Sequence, residues 1–312
     1  MTRADAALIS AMERSNIHPL WDRYQRITPL APRAKDAPMH WRWRDIEPFT
    51  ERAAREVGIE DVERRALILA NPAFGGETVT TQNLIGAFTV LEPGDKAVPH
   101  RHTAAAIRFS TRAEGAVTIV NGRRCEMKEG DLVLTPPMCW HGHINQGGRR
   151  TVWFDAANMP VICALDASFF EPGTRRDERF WEVGTEGSAE YRFPWEETRR
   201  ALESLPAGTD GSRTYRYSKN GGSVMPTLDL FLKRVEQKTR PARATFNAVC
   251  LVVSGEGRST VGGHRFEWSR HDVFTVPHWT WATHEARDTA DLFVVTDRAI
   301  FERLELLREE LG

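Results

Sequence analysis

A repeat of two β-rich blocks constrains the fold of this chain more than any other feature of its sequence. The segment 114-EGAVTIVNG-122 is similar to 256-EGRSTVGG-263, and 131-DLVLTPPMCWHGH-143 is similar to 272-DVFTVPHWTWATH-284. Both blocks contain short runs of β-branched and aromatic residues separated by Gly, Pro and Asn, which is typical of antiparallel strands joined by tight turns. The sequence therefore predicts two tandem antiparallel barrels.

The pattern divides the chain into four regions. Residues 78–171 form the first predicted barrel, and residues 223–312 form the second barrel together with a final helix. A polar, charged segment at 172–222 connects the barrels, and residues 1–77 form a helical and extended arm. The predicted fold class is therefore dominated by β-structure, with an N-terminal helical arm and a C-terminal helix.

Local patterns predict several individual elements. Helix-type spacing of apolar residues occurs at 4–15, 50–68 and 298–310. Between two strand-like runs of the first barrel lies Asn121-Gly122, a pair that favours a type I′ turn because both residues tolerate a positive φ. We therefore expect helices at these three places and a tight hairpin at the fourth.

Three histidines of the first block have a spacing suited to a metal ion. His100 and His102 are two residues apart on a predicted strand, so both face the same side of it, and His141 follows on a later strand. Three neutral imidazoles leave coordination positions free, and by ligand type they suit iron, zinc, nickel or copper about equally. The alternative for a His-x-His pair is two histidines without a metal. Turn and spacer residues at regular offsets favour the metal site: Gly94, Pro99, Gly130, Pro136 and Asn145.

The second block lacks these ligands. An offset of 141 or 142 residues carries the three ligand positions to Ala242, Ala244 and Ala282. A methyl side chain cannot bind a metal, so we expect a second barrel without one. His278 and His284 do not take ligand positions in this register, and we expect them to have packing or interface roles.

Composition excludes several classes of function. The chain has 312 residues, of which 41% are hydrophobic and 27% charged, and its formal net charge is −1, values typical of a globular protein. No broad basic surface for nucleic acid and no apolar run long enough for a membrane is expected. The N-terminal residues lack the apolar core of a secretory signal, which predicts a cytoplasmic protein. The four cysteines are widely separated and form no zinc or disulfide pattern: Cys125, Cys139, Cys163 and Cys250.

Five segments in order resemble the bicupin gentisate 1,2-dioxygenases and the related salicylate-type 1,2-dioxygenases. They are 40-HWRWRDIEPF-49, 62-VERRALILANP-72, 99-PHRHTAAAIRF-109, 130-GDLVLTPPMCWHGH-143 and 151-TVWFDAANMP-160. The resemblance implies two tandem jelly-roll (double-stranded β-helix) cupin barrels, and a non-haem Fe(II) enzyme of aromatic catabolism that uses O2. Such enzymes open the ring between the carboxyl-bearing carbon and the hydroxyl-bearing carbon of gentisate or a related salicylate. The family is commonly homotetrameric, with one iron barrel per subunit.

Four further residues are candidates for roles at that site, each with a simpler alternative. Arg108 is expected on the same strand as the ligands, at even spacing from His102, and should face inward to clamp a substrate carboxylate, unless it forms a structural ion pair. His143 could shuttle a proton or hydrogen-bond bound oxygen, unless it is a core histidine. Asp155 could orient His143 or a ring hydroxyl, with a hairpin or interface carboxylate as its alternative. Arg64 could reach the substrate from the arm, with an exposed helix arginine as the simpler interpretation.

Three positions depart from the family pattern and bear on the substrate. Ala104 and Thr89, both candidate substrate-binding positions, stand where many relatives have glutamine, and Gly142 stands where many have aspartate. Loss of polar groups weakens the case for a substrate whose additional hydroxyl must be bound. A 5-nitro- or 5-halosalicylate, or salicylate itself, is therefore the alternative to gentisate. More distant alternatives are a redox-silent Zn²⁺ or Mn²⁺ cupin that acts as an isomerase or hydrolase, and a non-enzymatic ligand-binding bicupin.

Overall fold

The computed structural model describes residues 3–174 and 178–312, which form two compact units. One unit ends at Arg33, and the other comprises Ala34–Gly312. The first unit contains α1 (Arg3–Arg14) and α2 (Tyr24–Ile27), so the helix expected at 4–15 is confirmed. Among the helices of the described ranges, none has the length and apolarity that crossing a bilayer requires.

The second unit begins with elements that support both barrels. They are β1 (His40–Trp41), α3 (Trp43–Glu56) and β2 (Arg65–Ile68). β1 pairs with Val273 and Phe274 of the second barrel, whereas β2 pairs with Val90 and its neighbours in the first. The helix expected at 50–68 was therefore wrong beyond Glu56, because backbone pairing with a distant strand replaces local helical bonding there.

The first barrel consists of two antiparallel sheets. Its remaining strands are β3 (Ile85–Leu91), β4 (Lys96–His102), β5 (Ala106–Arg112), β6 (Ala116–Val120), β7 (Arg123–Met127), β8 (Leu132–Thr135), β9 (His141–Asn145), β10 (Thr151–Ala157), β11 (Phe170–Pro172) and β12 (Arg192–Phe193). One sheet has the order β12-β8-β5-β10-β3-β2 and the other has the order β11-β4-β9-β6-β7. The turn between β6 and β7 has a φ of 46° at Asn121 and 73° at Gly122, which confirms the predicted hairpin.

The second barrel repeats this plan after α4 (Met159–Ala164), α5 (Glu178–Trp181) and α6 (Trp195–Ser204). Its strands are β13 (Arg213–Arg216), β14 (Asp229–Val235), β15 (Ala242–Ala244), β16 (Ala248–Ser254), β17 (Gly257–Val261), β18 (His264–Trp268), β19 (Val273–Val276), β20 (Ala282–Ala286), β21 (Ala290–Thr296) and β22 (Glu309–Leu311). The two sheets have the orders β1-β19-β16-β21-β14-β13 and β18-β17-β20-β15-β22. Two tandem antiparallel barrels, as expected from the repeat, are thus confirmed.

The strand registers confirm the offset between the repeats. In the first barrel His100 lies opposite His141, and in the second Ala242 lies opposite Ala282. The alanines therefore occupy the places that the histidines hold in the first barrel.

The C-terminal segment differs from its predicted form. The helix expected at 298–310 is confirmed only for α7 (Arg298–Arg303). Glu305 then takes a left-handed φ of 58°, which ends helical geometry. The following β22 instead pairs with β15 at the edge of the second barrel.

One core connects the barrels, and alternation along β5 connects that core to the interior of the first barrel. Phe109 and Phe293 are both buried and stack with ring centroids 4.3 Å apart. Because successive strand residues face opposite sides, placing Phe109 between the barrels turns its neighbour Arg108 into the first barrel. The contact between barrels therefore helps to set the orientation of a candidate site residue.

Replacing Phe293 with alanine should lower the free energy of unfolding by about 3–5 kcal/mol, because the change leaves a cavity beside Phe109 in a closely packed core. Denaturant unfolding curves of the two proteins would measure this difference. As the matched control, Phe49→Ala removes a ring that is 57% exposed and should change stability by no more than about 0.5 kcal/mol. Similar small losses for both variants would contradict the packing described here.

Candidate metal centre

The three predicted metal ligands converge inside the first barrel. His100 and His102 project from β4 and His141 from the neighbouring β9. One nitrogen of each imidazole lies within 4.8 Å of the corresponding nitrogens of the other two. All three side chains are buried. Among the described residues of the chain, this is the one group of His, Cys, Asp or Glu with such a geometry.

Each of these imidazoles is anchored through Nδ1 to a backbone carbonyl. The distances are all 2.9 Å, from His100 to Val98, from His102 to Ala104 and from His141 to Cys139. A carbonyl oxygen only accepts, so Nδ1 carries the hydrogen and the lone pair lies on Nε2. Nε2 of His100 and of His141 is buried without a hydrogen-bond partner. Orphaned lone pairs directed at one point are what a bound metal ion would satisfy.

Burial keeps the three ligands neutral. Desolvation and, to a smaller extent, the charge of Arg64 lower the pKa of His100 to about 4. Desolvation also lowers the pKa of His102 to about 4 and that of His141 well below its ordinary value. Neutral imidazole is the metal-binding form, so no proton competes at physiological pH. No carboxylate belongs to the cluster, although Glu63 lies 3.1 Å from Nδ1 of His100.

Arg108 is a fully buried cation beside these ligands, but it lies on β5 and not, as expected, on the strand that carries His100 and His102. Its Nε donates to Nε2 of His143 at 3.2 Å, and its Nη1 donates to the hydroxyl of Thr135. Oδ1 of Asp155 lies 3.6 Å from Nε. Desolvation lowers the pKa of Arg108 to about 10, against the opposing effect of Asp155, so the group stays charged near neutrality. Nη2 is buried and has no partner, which leaves N–H donors for an anionic ligand.

Both ring nitrogens of His143 have protein partners. Nε2 accepts from Arg108, so the hydrogen of the neutral ring lies on Nδ1 and is donated to Thr118 Oγ1 at 2.9 Å. Thr118 in turn donates to the sulfur of Met127 at 3.3 Å. Burial lowers the pKa of His143 well below its ordinary value. In this arrangement His143 orients Arg108, whereas its role as a proton shuttle stays a prediction.

Asp155 and Thr89 form the other side of the Arg108 environment. Oδ2 of Asp155 accepts from Trp153 Nε1 at 3.0 Å and from the hydroxyl of Thr89. The strand register places Asp155 directly opposite Arg108. The contacts of Asp155 therefore hold the guanidinium, and the Thr89 hydroxyl is used within this network.

Two further predicted residues also approach the site. Arg64 is half-buried and precedes β2 outside any helix, so it is not an exposed helix arginine. Its charge lowers the pKa of His100 and of His143, which places it in the electrostatic environment of the cluster. Ala104 is fully buried, and its carbonyl is the group that orients His102.

The expectation that Gly142 influences substrate binding was wrong. Gly142 lies between the inward-facing His141 and His143, so it faces outward. A Cβ at this position would lie 2.8 Å from Phe180 and 3.0 Å from Trp181. The glycine therefore serves the close packing of α5 on the outside of the barrel.

Several supporting residues were not found from the sequence. Glu63, Thr118 and Thr135 contact His100, His143 and Arg108 through their side chains. For Thr118 a signal existed in the repeat: at the offset of 141 residues it corresponds to Ser259, so both blocks have a hydroxyl residue at this position. Glu63 and Thr135 carried no such signal.

Comparison with known proteins agrees with this site. Residues 87–157 match the Cupin domain family model. The chain is 34% identical to 5-aminosalicylate 1,2-dioxygenase of Comamonas sp over 97% of this chain and 89% of that protein. It is 32% identical to gentisate 1,2-dioxygenase of Streptomyces sp over 98% and 95% of the two chains. The chain belongs to the gentisate and salicylate 1,2-dioxygenase family.

The solved structures agree with this assignment. Salicylate 1,2-dioxygenase from Pseudoaminobacter salicylatoxidans, in adducts with gentisate, superposes with a TM-score of 0.89 at 30% identity. The match covers 100% of this chain and 94% of that one. The predicted bicupin fold and the assignment to the ring-cleaving dioxygenases, which are oxidoreductases, are thereby confirmed.

Replacing His141 with alanine should weaken metal binding by more than about 100-fold, because it removes one of three ligands. Elemental analysis after dialysis against a weak chelator would measure the metal retained per chain, and circular dichroism would check the fold. His278→Ala is the matched control, since His278 lies outside the cluster. Equal metal content in the His141 variant and the control would show that the ligand assignment is wrong.

Proposed function

We propose that this chain is an Fe(II)-dependent dioxygenase that opens the ring of gentisate or another 5-substituted salicylate between C1 and C2 with O2. The observation that carries the proposal is the adjacency of two unsatisfied groups in one barrel. Three buried imidazoles converge on one point, two of them with a buried and unpaired Nε2, and the buried Arg108 offers an unpaired Nη2 beside them. A metal-binding set next to an anion-binding group suits a substrate that carries a carboxylate.

Iron is the metal proposed, and the family supports it because its chemistry requires a redox-active ion. The donor set fits: it is neutral, uses three nitrogens and leaves several coordination positions open. When bound, Fe(II) would supply Lewis acidity toward the carboxylate and ortho-hydroxyl of the substrate and the redox chemistry that dioxygen needs.

The residues of the chain would bind and orient the substrate. Arg108 Nη2 would donate to the substrate carboxylate, and the half-buried Arg64 would add a second positive charge. Asp155 and His143 hold the Arg108 guanidinium in place, so the clamp exists before the substrate arrives. Phe170 stacks on His100 with ring centroids 5.3 Å apart and would help to exclude water from the ligands.

We propose a positioning role for His143 in addition to the predicted proton transfer. Its Nε2 is engaged by Arg108, so it could take a proton from a substrate hydroxyl only after that hydrogen bond is given up. Burial disfavours the charged form of His143, so a proton that it accepted from the substrate would be held only briefly.

Two relatives support a particular class of 5-substituent on the substrate. Two that match nearly the full chain carry the names 5-aminosalicylate and gentisate dioxygenase, which favours an electron-donating amino or hydroxyl group over nitro or halogen. Ala104 has only a methyl side chain, and the hydroxyl of Thr89 already donates its hydrogen to Asp155. Neither predicted substrate-binding position therefore offers a side-chain donor to the 5-substituent. A homotetramer and a cytoplasmic location stay predictions from the sequence and the family.

Oxygen uptake by the anaerobically Fe(II)-loaded protein tests the function. Gentisate and 5-aminosalicylate should each support oxygen consumption with the ultraviolet absorbance of a ring-opened product, at rates above those for salicylate and 5-nitrosalicylate. Zn²⁺-loaded protein is the control and should consume no oxygen. If none of the four compounds supported uptake with iron, the chain would not be a salicylate-type dioxygenase.

Replacing Arg108 with lysine should raise KM for the substrate by about 10- to 100-fold, because a lysine cannot make the same planar contacts to a carboxylate. Metal content should stay unchanged, since Arg108 is not a ligand. Steady-state oxygen uptake against substrate concentration would give KM and kcat separately. Arg112→Lys, at the exposed end of the same strand, is the matched control, and an equal KM for the two variants would contradict the carboxylate clamp.

A further inference from the structure

The second barrel contains a partly open cavity that the proposed reaction does not use. Its volume is about 530 Å³, within the range of small-molecule binding sites. Ala242, Ala244 and Ala282 line it, in the places of the three metal ligands of the first barrel. Three methyl groups in place of three imidazoles leave room in the interior of the barrel.

Part of the cavity wall is apolar. Phe231, Phe246, Val276 and Val294 line it, and each of these residues is only partly buried. Apolar and aromatic surface facing a cavity favours the burial of an apolar group such as an aromatic ring.

Uncharged residues of the second barrel stand in the places of Arg108 and Asp155 of the first barrel. Arg108 lies opposite Asp155 in the first barrel, and Cys250 lies opposite Val294 in the second. The buried guanidinium and its carboxylate are therefore absent from the equivalent places. A different cation, Lys233, lines this cavity from the neighbouring β14.

Lys233 has donors to spare. Its Nζ donates to Oδ2 of Asp210 at 2.7 Å, which uses one of three N–H groups. The other oxygen of Asp210 already accepts from the amide and the hydroxyl of Ser212, at 3.0 and 2.7 Å. Both carboxylate oxygens of Asp210 thus accept hydrogen bonds from the protein. Two hydrogens of the Lys233 ammonium group are left for a ligand.

His284 supplies a second donor. Its Nδ1 lies 2.8 Å from Ser259 Oγ, which also accepts from Trp268 Nε1 at 2.9 Å. In the described part of the chain the hydroxyl hydrogen of Ser259 has no acceptor other than His284 Nδ1, so the ring carries its own hydrogen on Nε2. His143 in the first barrel has the opposite arrangement, because Arg108 donates to its Nε2. His284 lines the cavity, and its Nε2 has no hydrogen-bond partner among the described residues.

We propose that the cavity of the second barrel is a metal-independent binding site for a small aromatic carboxylic acid. The carboxylate accepts hydrogen bonds from Lys233 Nζ and His284 Nε2, and the ring packs against the apolar wall formed by Phe231, Phe246, Val276 and Val294. The site depends on residues of the second barrel alone and is independent of the activity proposed for the first.

Equilibrium dialysis of the Fe(II)-loaded protein with salicylate under anaerobic conditions tests this proposal. The protein should bind two salicylates per chain, one in each barrel. Lys233→Met should weaken the second-barrel site by about tenfold or more, the effect of losing a hydrogen bond to a charged group. Arg108→Met should affect the other site alone. Lys238→Met, which changes an exposed lysine of the same region, is the matched control and should retain both sites.

The outcomes separate this proposal from the proposed function. One site per chain that Arg108→Met weakens and Lys233→Met leaves intact would overturn the second-barrel site while the function stands. One site with the opposite dependence would support the second-barrel site and count against substrate binding in the first barrel.

Val294→Phe, which fills the cavity without removing a charge, should also abolish the second site. If both cavity variants fail to fold, Arg108→Met decides: salicylate binding that this variant retains supports the second-barrel site, and complete loss of binding overturns it.

Discussion

The burial of three converging imidazoles, two of which have an unpaired Nε2, is the constraint on which the rest of this structure depends. Backbone carbonyls hold Nδ1 of His100, His102 and His141, so the tautomer and the direction of each Nε2 are set by the barrel itself. Leaving buried polar atoms unpaired costs free energy. A bound metal ion removes that cost, and the low pKa values that burial produces keep the ligands ready to bind it.

The buried guanidinium of Arg108 links this centre to the rest of the molecule. A buried cation beside a metal-binding set is stabilised by nearby anions and acceptors. Asp155 and Thr135 supply part of this stabilisation, and the unpaired Nη2 leaves a donor for a ligand of opposite charge. On the next residue of β5, Phe109 packs against Phe293 of the second barrel. One strand thus serves both the anion site and the contact between barrels.

The sequence was sufficient for features that depend on short periods. Alternation along a strand placed His100 and His102 on one face of β4, and the repeat offset matched Ala242 and Ala282 to ligand positions, as their pairing confirms. Arg108 was expected on that same strand, but it lies on β5 in the other sheet of the barrel. Features that depend on distant segments were missed. The strands at Arg65–Ile68 and Glu309–Leu311 form because remote partners pair with them, and local spacing favoured helices there. Gly142 was misinterpreted because the residues that require it, Phe180 and Trp181, lie far along the chain.

An anomalous difference map of the iron-loaded crystal, measured at the iron absorption edge, would test the central claim most directly. The account predicts one peak per chain, within bonding distance of Nε2 of His100, His102 and His141 at roughly 2.0–2.2 Å, and none in the second barrel. A peak bound through other residues, or iron in the cavity lined by Ala242, Ala244 and Ala282, would contradict it.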